Sequence, residues 1–296
     1  MSEFWKRTLS GALYVGAVTG SILWHPLAFG ILFFIVCVWG VDEYMRLMKA
    51  SRYARGGAFV GAALLWIGGM WSLVAPEGLR LSWGIYALIG IAYVLIIFAT
   101  LLEELWAKAA NPVANWGNLL VSQTMIALPF CSMIALLALD KWLLLALFVL
   151  MWVNDSGAYC VGTLTAKRAE GNHKMFPRVS PKKSWEGLFG GIASAVFAAY
   201  ILMHYGWFDT LWSKADGMIA NEMRLVIVIL FAILACGFGT LGDLLESLVK
   251  RTIGVKDSGR FLPGHGGVLD RFDSMLLASP MMAIFSWICY AASSLF

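Results

Sequence analysis

Asp243 and Glu246 in the stretch GDLLESLVKR are spaced i,i+3, which puts both carboxylates on one face of a helix. Asp270 and Asp273 in VLDRFDS repeat that spacing. Like charges clustered in this way repel unless a cation joins them. No Cys or His stands at ligand spacing among them, so the donors are oxygens and the fitting ion is hard, Mg2+ rather than zinc. Lys250, Arg251, Lys256, Asp257 and Arg260 lie between the two pairs, and Arg271 lies inside the second. Mg2+ beside so many cations implies an anionic, phosphate-rich substrate. His265 in PGHGGV could serve as ligand, proton carrier or structural residue. Gly264, Gly266 and Gly267 can bring backbone N–H groups close to phosphates. There is no GxxxxGK[ST] Walker loop. The plainer alternative is that each carboxylate pairs with a nearby Lys or Arg and fixes helix packing.

Two other stretches carry chemistry-bearing residues. In MWVNDSGAY, Asn154 and Asp155 interrupt an apolar run, and polar groups at membrane depth are costly enough to be functional candidates by default. In FPRVSPKKSWEG, Ser180-Pro181 breaks helix, and Ser184 three residues before Gly187 reads as an N-cap with Glu186 in the first turn. Lys182 and Lys183 then stand at a helix N-terminus, a good place for a phosphate. An ordinary basic loop ending in a helix cap is the alternative there.

The elements that must position these groups are membrane spans. Of 296 residues, 60% are hydrophobic and 14% charged, with mean hydropathy +0.76; soluble domains carry about 25% charged residues. The predicted fold is an all-α polytopic integral membrane protein. Nine apolar segments lie near 9–24, 26–41, 56–75, 82–102, 119–139, 141–163, 186–204, 225–243 and 274–294. The first two are short for a span and meet at His25-Pro26, where a tight hairpin is an alternative to two full crossings. The N-terminal run lacks an A-x-A-like cleavage site and reads as a retained first helix. With the N-terminus cytoplasmic, all but Arg80, Lys141, Lys214 and Arg224 of the 22 Lys and Arg fall on one side, as the positive-inside rule demands. Nine spans then leave the C-terminus outside, and both basic loops, 164–185 and 244–273, share the cytoplasmic face. Cys37, Cys131, Cys160, Cys236 and Cys289 all sit in apolar runs and read as small buried hydrophobes. No fixed repeat period and no low-complexity tract is present.

The stretch from Ser247 to Asp273 resembles the signature of phosphatidate cytidylyltransferases, the CDP-diacylglycerol synthases. That pattern runs S, x, apolar, K-R, four residues, K-D, x, small, two residues, apolar, P/G/S, x, H-G-G, apolar, x, D-R, apolar, D, and every specified position is met. WVNDSGAY, SPKKSWEG and GDLLES resemble further family segments, so the likeness is strong over roughly 150–274. TAKRAEGNHKMFPR is longer and less glycine-rich than its usual counterpart, and Asn154 stands where many bacterial members have Ala. The resemblance implies transfer from CTP to phosphatidic acid, giving CDP-diacylglycerol and pyrophosphate, in a Mg2+-dependent dimeric enzyme of the bacterial inner membrane with its site on the cytoplasmic face. Asp243, Asp270, Asp273 and Glu246 would hold one or two cations. Lys256, Asp257, Arg271 and His265 join the catalytic set, and Ser180, Lys182, Lys183, Ser184, Lys250, Arg251, Arg260, Asn154 and Asp155 the substrate-binding set. Residues 1–110 would form an N-terminal helical region for dimerisation or lipid contact, and 111–296 the catalytic domain. The expected surroundings are the lipid bilayer, with no nucleic-acid partner. A CTP-dependent lipid kinase and an ion-coupled transporter are the rival readings. The kinase would release CDP and a lipid phosphate, and the transporter would show no net chemistry.

Overall fold

The computed structural model describes residues 3–80, 82–167, 171–215, 221–259 and 266–295. Its helices are α1 (Glu3–Trp24), α2 (Pro26–Leu47), α3 (Arg52–Val74), α4 (Glu77–Arg80), α5 (Trp83–Ala107), α6 (Pro112–Ser122), α7 (Leu128–Leu139), α8 (Lys141–Thr165), α9 (Trp185–His204), α10 (Asn221–Thr252), α11 (Leu269–Phe272) and α12 (Met275–Ala292). One π-helical turn, Gln123–Ala127, joins α6 and α7 into a continuous run. Among the described residues, eight helices are long and apolar enough to cross a membrane, and α1 adds a shorter apolar stretch, Thr8–Trp24. The expected all-helical, multi-span build is therefore what the chain adopts, with a helix at each of the nine expected positions.

Some boundaries differ from expectation, each for a local reason. The second span runs past 41 to Leu47, where its charges have partners: Asp42 pairs with Arg46 one turn on, and Glu43 accepts from Leu269 N. His25 caps that helix by accepting from Leu27 N, with Pro26 in its first position. Helix α10 runs to Thr252, so Asp243 and Glu246 lie inside it rather than at its end. Asp270 and Asp273 do not share a helix: α11 stops at Phe272, and the Asp273 carboxylate accepts from Ser274 N at 2.6 Å, breaking the chain before α12. The loop before α9 holds a small antiparallel hairpin, β1 (Lys174–Phe176) and β2 (Ser180–Ser184), that helical periodicity could not announce.

The chain divides into two compact units. One comprises residues up to Ala138 together with Ile253–Phe272. Its core stacks Phe29 on Phe33 and sets Phe33 and Phe130 against Phe272. Ser51 caps α3, and its hydroxyl donates to the buried Glu104, which also accepts from Asn115. The other unit comprises Leu139–Thr252 and Asp273–Phe296, in which α8, α9, α10 and α12 pack together. Small residues set how closely these helices approach. A side chain at Gly157 would collide with Ser194, and one at Gly190 with Val161, so α8 and α9 approach at backbone range, as membrane helices do across small residues.

Candidate active site

The close approach of α8 and α9 puts the polar interruption of α8 beside the start of α9. Asn154 is buried and Asp155 exposed, one turn from Ala158, whose backbone faces Gly187. Ser184 caps α9 as the sequence predicts, accepting from Gly187 N at 3.1 Å. Glu186 in the first turn accepts from His173 N at 3.0 Å and meets the His173 ring at 2.6 Å, fixing the hairpin to the helix start. Trp185 N donates to His173 O at 3.0 Å from the same strand entry. The hairpin is tied to α10 as well: Arg251 Nε donates to Val179 O at 3.3 Å, and Lys183 Nζ to Thr240 O at 3.4 Å.

Between α8, the hairpin, the start of α9 and α10 lies an open cavity of ≈ 450 Å3 within the second unit, a size typical of small-molecule sites. Asn154 and Asp155 from α8, Lys182, Lys183 and Ser184 from the hairpin, and Asp243 from α10 line it. Six of the expected residues thus come together from three elements. Lys174 and Asn172 also line it and were missed by the sequence reading. Both fall in TAKRAEGNHKMFPR, where no pattern singled them out. Lys183 Nζ lies 2.6 Å from Asp243 Oδ2, and Ser247 Oγ donates to Asp243 Oδ1 at 3.2 Å. Deeper along α10, Glu246 pairs with Lys250, one turn on and also buried. The pairing expected of the plainer alternative is therefore real for two of the carboxylates.

Asp273 differs. Burial raises its carboxyl well above the usual range, and the charges of Asp243, Glu246 and Asp155 raise it further. Carboxylates from α8, α10 and the entry to α12 are thus close enough to repel. That is the donor chemistry a hard divalent cation satisfies, although among the described residues no three acidic, His or Cys side chains already converge as a metal-holding group. Ser180 lies on β2, outside the lining of the cavity.

The rest of the expected set belongs to the first unit or lies outside the described residues. Arg260 and His265, with Gly264, are outside them. Lys256 and Asp257 are exposed, and Arg271 sits on α11. Asp270 Oδ2 accepts from Ser258 N (2.8 Å), Ser258 Oγ (2.9 Å) and Gly267 N (2.7 Å), so the Gly267 N–H expected to face a phosphate is already bound. The sequence reading missed Glu43, a buried carboxylate on α2 that accepts from Val268 N and Leu269 N. Ending the second span at 41 hid it.

A multi-span helical protein with lysines and carboxylates gathered in one cavity has the build of an integral membrane enzyme that handles charged substrates. The chain matches the model of the cytidylyltransferase family over residues 5–289. A phosphatidate cytidylyltransferase of Haemophilus influenzae is 32% identical over 289 residues, covering 93% of this chain and 88% of that protein. One of Bacillus subtilis is 30% identical over 297 residues, covering 97% of this chain and all of that protein. A Staphylococcus epidermidis protein of the same name is 40% identical over 137 residues, 46% of each chain. This chain belongs to the cytidylyltransferase family and is a nucleotidyltransferase.

Proposed function

We propose that this enzyme transfers a cytidylyl group from CTP to phosphatidic acid, giving CDP-diacylglycerol and pyrophosphate. The observation that carries the reading is the cavity of the second unit. There, lysines at the capped start of α9 stand against carboxylates from α8 and α10, in a chain whose near-full-length relatives are named for this reaction. The lipid phosphate is already a nucleophile, so no strong base is required. Its oxygen attacks the α-phosphorus of CTP in line, and the bond to the pyrophosphate oxygen breaks as the new P–O bond forms. Catalysis is then positioning and charge neutralisation. Lys182, Lys183 and Lys174 would hold phosphate oxygens, and the positive end of the α9 dipole adds to their charge at its capped start. Lys256, Asp257 and Arg271 are the proposed substrate-facing groups of the signature loop.

Mg2+ is the proposed cofactor, held by Asp243, Asp273 and Glu246, and when bound it would neutralise charge on the reacting phosphates and on the leaving pyrophosphate. Asp270, the fourth carboxylate expected there, accepts from Gly267 N within its own loop. The proposed setting is the bacterial inner membrane, with the site on the cytoplasmic face and the enzyme a homodimer. The skew of Lys and Arg and the bacterial relatives support the setting, and the family resemblance supports the dimer.

The test is purified protein with CTP, phosphatidic acid and Mg2+, followed by product identification. CDP-diacylglycerol and pyrophosphate are expected. CDP with a newly phosphorylated lipid would establish a kinase instead, and no net chemistry would favour a transporter. Excess EDTA should abolish turnover, and Ca2+ should restore it poorly, because Ca2+ prefers larger and looser coordination. Full activity in EDTA would remove Mg2+ from the proposal.

A further inference from the structure

We infer that Glu43 is a positioning residue: its buried carboxylate holds the described ends of the signature loop, Ser258–Gly259 and Gly266–Asp270, in the shape that the reaction uses. The functional half of this inference rests on the proposed cytidylyl transfer.

Glu43 is 7% exposed and sits on α2, far from the loop in sequence. Its Oε1 accepts from Leu269 N at 3.0 Å, its Oε2 from Val268 N at 3.1 Å, and Ser258 Oγ donates to it from the other end of the loop. Ser258 Oγ also reaches Asp270 Oδ2, at 2.9 Å, so its one proton lies between two carboxylates. Glu43 therefore satisfies two N–H groups at the start of α11 that the helix itself cannot bond, and it ties both loop ends to one membrane helix. Charge-assisted bonds of this kind are roughly twice as strong as neutral ones.

The glycines explain themselves in these terms. A Cβ at Gly259 or Gly267 would collide with the Glu43 carboxylate, and one at Gly266 would come within 2.5 Å of Asp270 Oδ2. Gly266 also has φ +82°, a conformation other residues resist. At these positions the missing side chains make room for two internal carboxylates. The loop so held carries Asp270 and Arg271 and follows directly on Lys256 and Asp257. Gln cannot replace Glu43, because it offers one oxygen to three donors and turns an NH2 against a backbone N–H.

Glu43→Gln is compared with wild type by amide hydrogen exchange of Gly267–Leu269 without substrate, and by kcat and KM. Glu104→Gln serves as the control, since Glu104 is an equally buried carboxylate of the same unit with partners elsewhere. Exchange at Gly267–Leu269 should rise about tenfold or more in Glu43→Gln, and kcat should fall on the order of 10²-fold. Glu104→Gln should lose thermal stability while keeping both the exchange of those amides and kcat within about twofold of wild type. Unchanged exchange in Glu43→Gln overturns the inference, as does a kcat within twofold of wild type or an equal kcat loss in Glu104→Gln. Should Glu43→Gln not fold, Ser258→Ala removes only the shared hydroxyl, and normal exchange with normal kcat in that variant overturns the inference equally. If wild type makes no CDP-diacylglycerol, the proposed reaction fails by itself, while the exchange measurement still decides whether Glu43 holds the loop.

Discussion

Lys183 and Asp243 are 2.6 Å apart, and each side chain keeps about a quarter of its surface, 24% and 29%. A pair that open is worth little to folding, so its chemistry matters more than its stability. Asp243→Asn is nearly isosteric and removes only charge. Turnover should fall on the order of 10³-fold, the scale of a lost charge partner in the transition state, with the fold retained. Near-normal turnover in a folded variant would end the role proposed for Asp243. Asp273 supports a complementary prediction. Burial and three neighbouring carboxylates make its charged form costly in the folded state. Asp273→Asn removes that cost, so in EDTA its Tm should equal or exceed that of wild type. Mg2+ should raise the wild-type Tm by binding the folded state and leave the variant's Tm unchanged. Thermal shift with and without Mg2+ reads both, and a variant less stable than wild type in EDTA would contradict the assignment.

At the scale of elements, glycines decide how near the helices carrying these groups can come. A Cβ at Gly242 would lie 2.6 Å from Asp273 O and 3.3 Å from Ser274 O, backbone atoms that cannot rotate away. Gly242→Ala should therefore push the entry of α12 off α10. Overpacking of this kind costs about 1–3 kcal/mol, and it moves Asp273 as well, so thermal stability and turnover should fall together. Stability and turnover like those of wild type would show that α10 and α12 do not meet so closely. The same logic of small residues brings Asn154 and Asp155 on α8 to the start of α9. The cap on α9 is a separate device, since Ser184 both satisfies Gly187 N and turns the hairpin into the helix. It was legible from Ser184-x-x-Gly187 because capping is local chemistry.

For the molecule as a whole, the skew of Lys and Arg predicts an orientation that can be measured. With nine helices crossing and the N-terminus cytoplasmic, a C-terminal reporter that works only outside the cytoplasm should be active. Activity of a cytoplasmic reporter there instead would mean that one helix does not cross, α1 being the first to suspect because its apolar stretch is the shortest.

Hydropathy and turn residues by themselves determined the order and approximate positions of the apolar helices, because each such helix meets its apolar surroundings residue by residue. The signature from Ser247 to Asp273 determined the family in the same local way. Only the tertiary structure decided which charges meet. Equal i,i+3 spacing sent Asp243 into the cavity and Glu246 to Lys250, and it left Asp270 and Asp273 on either side of a break, in different units. Glu43 contacts a loop more than 200 residues further along the chain, and Lys174 reaches the cavity through a hairpin. Such partners are chosen by how helices pack and where backbone N–H groups are left unpaired, and neither is written in the spacing of neighbouring residues.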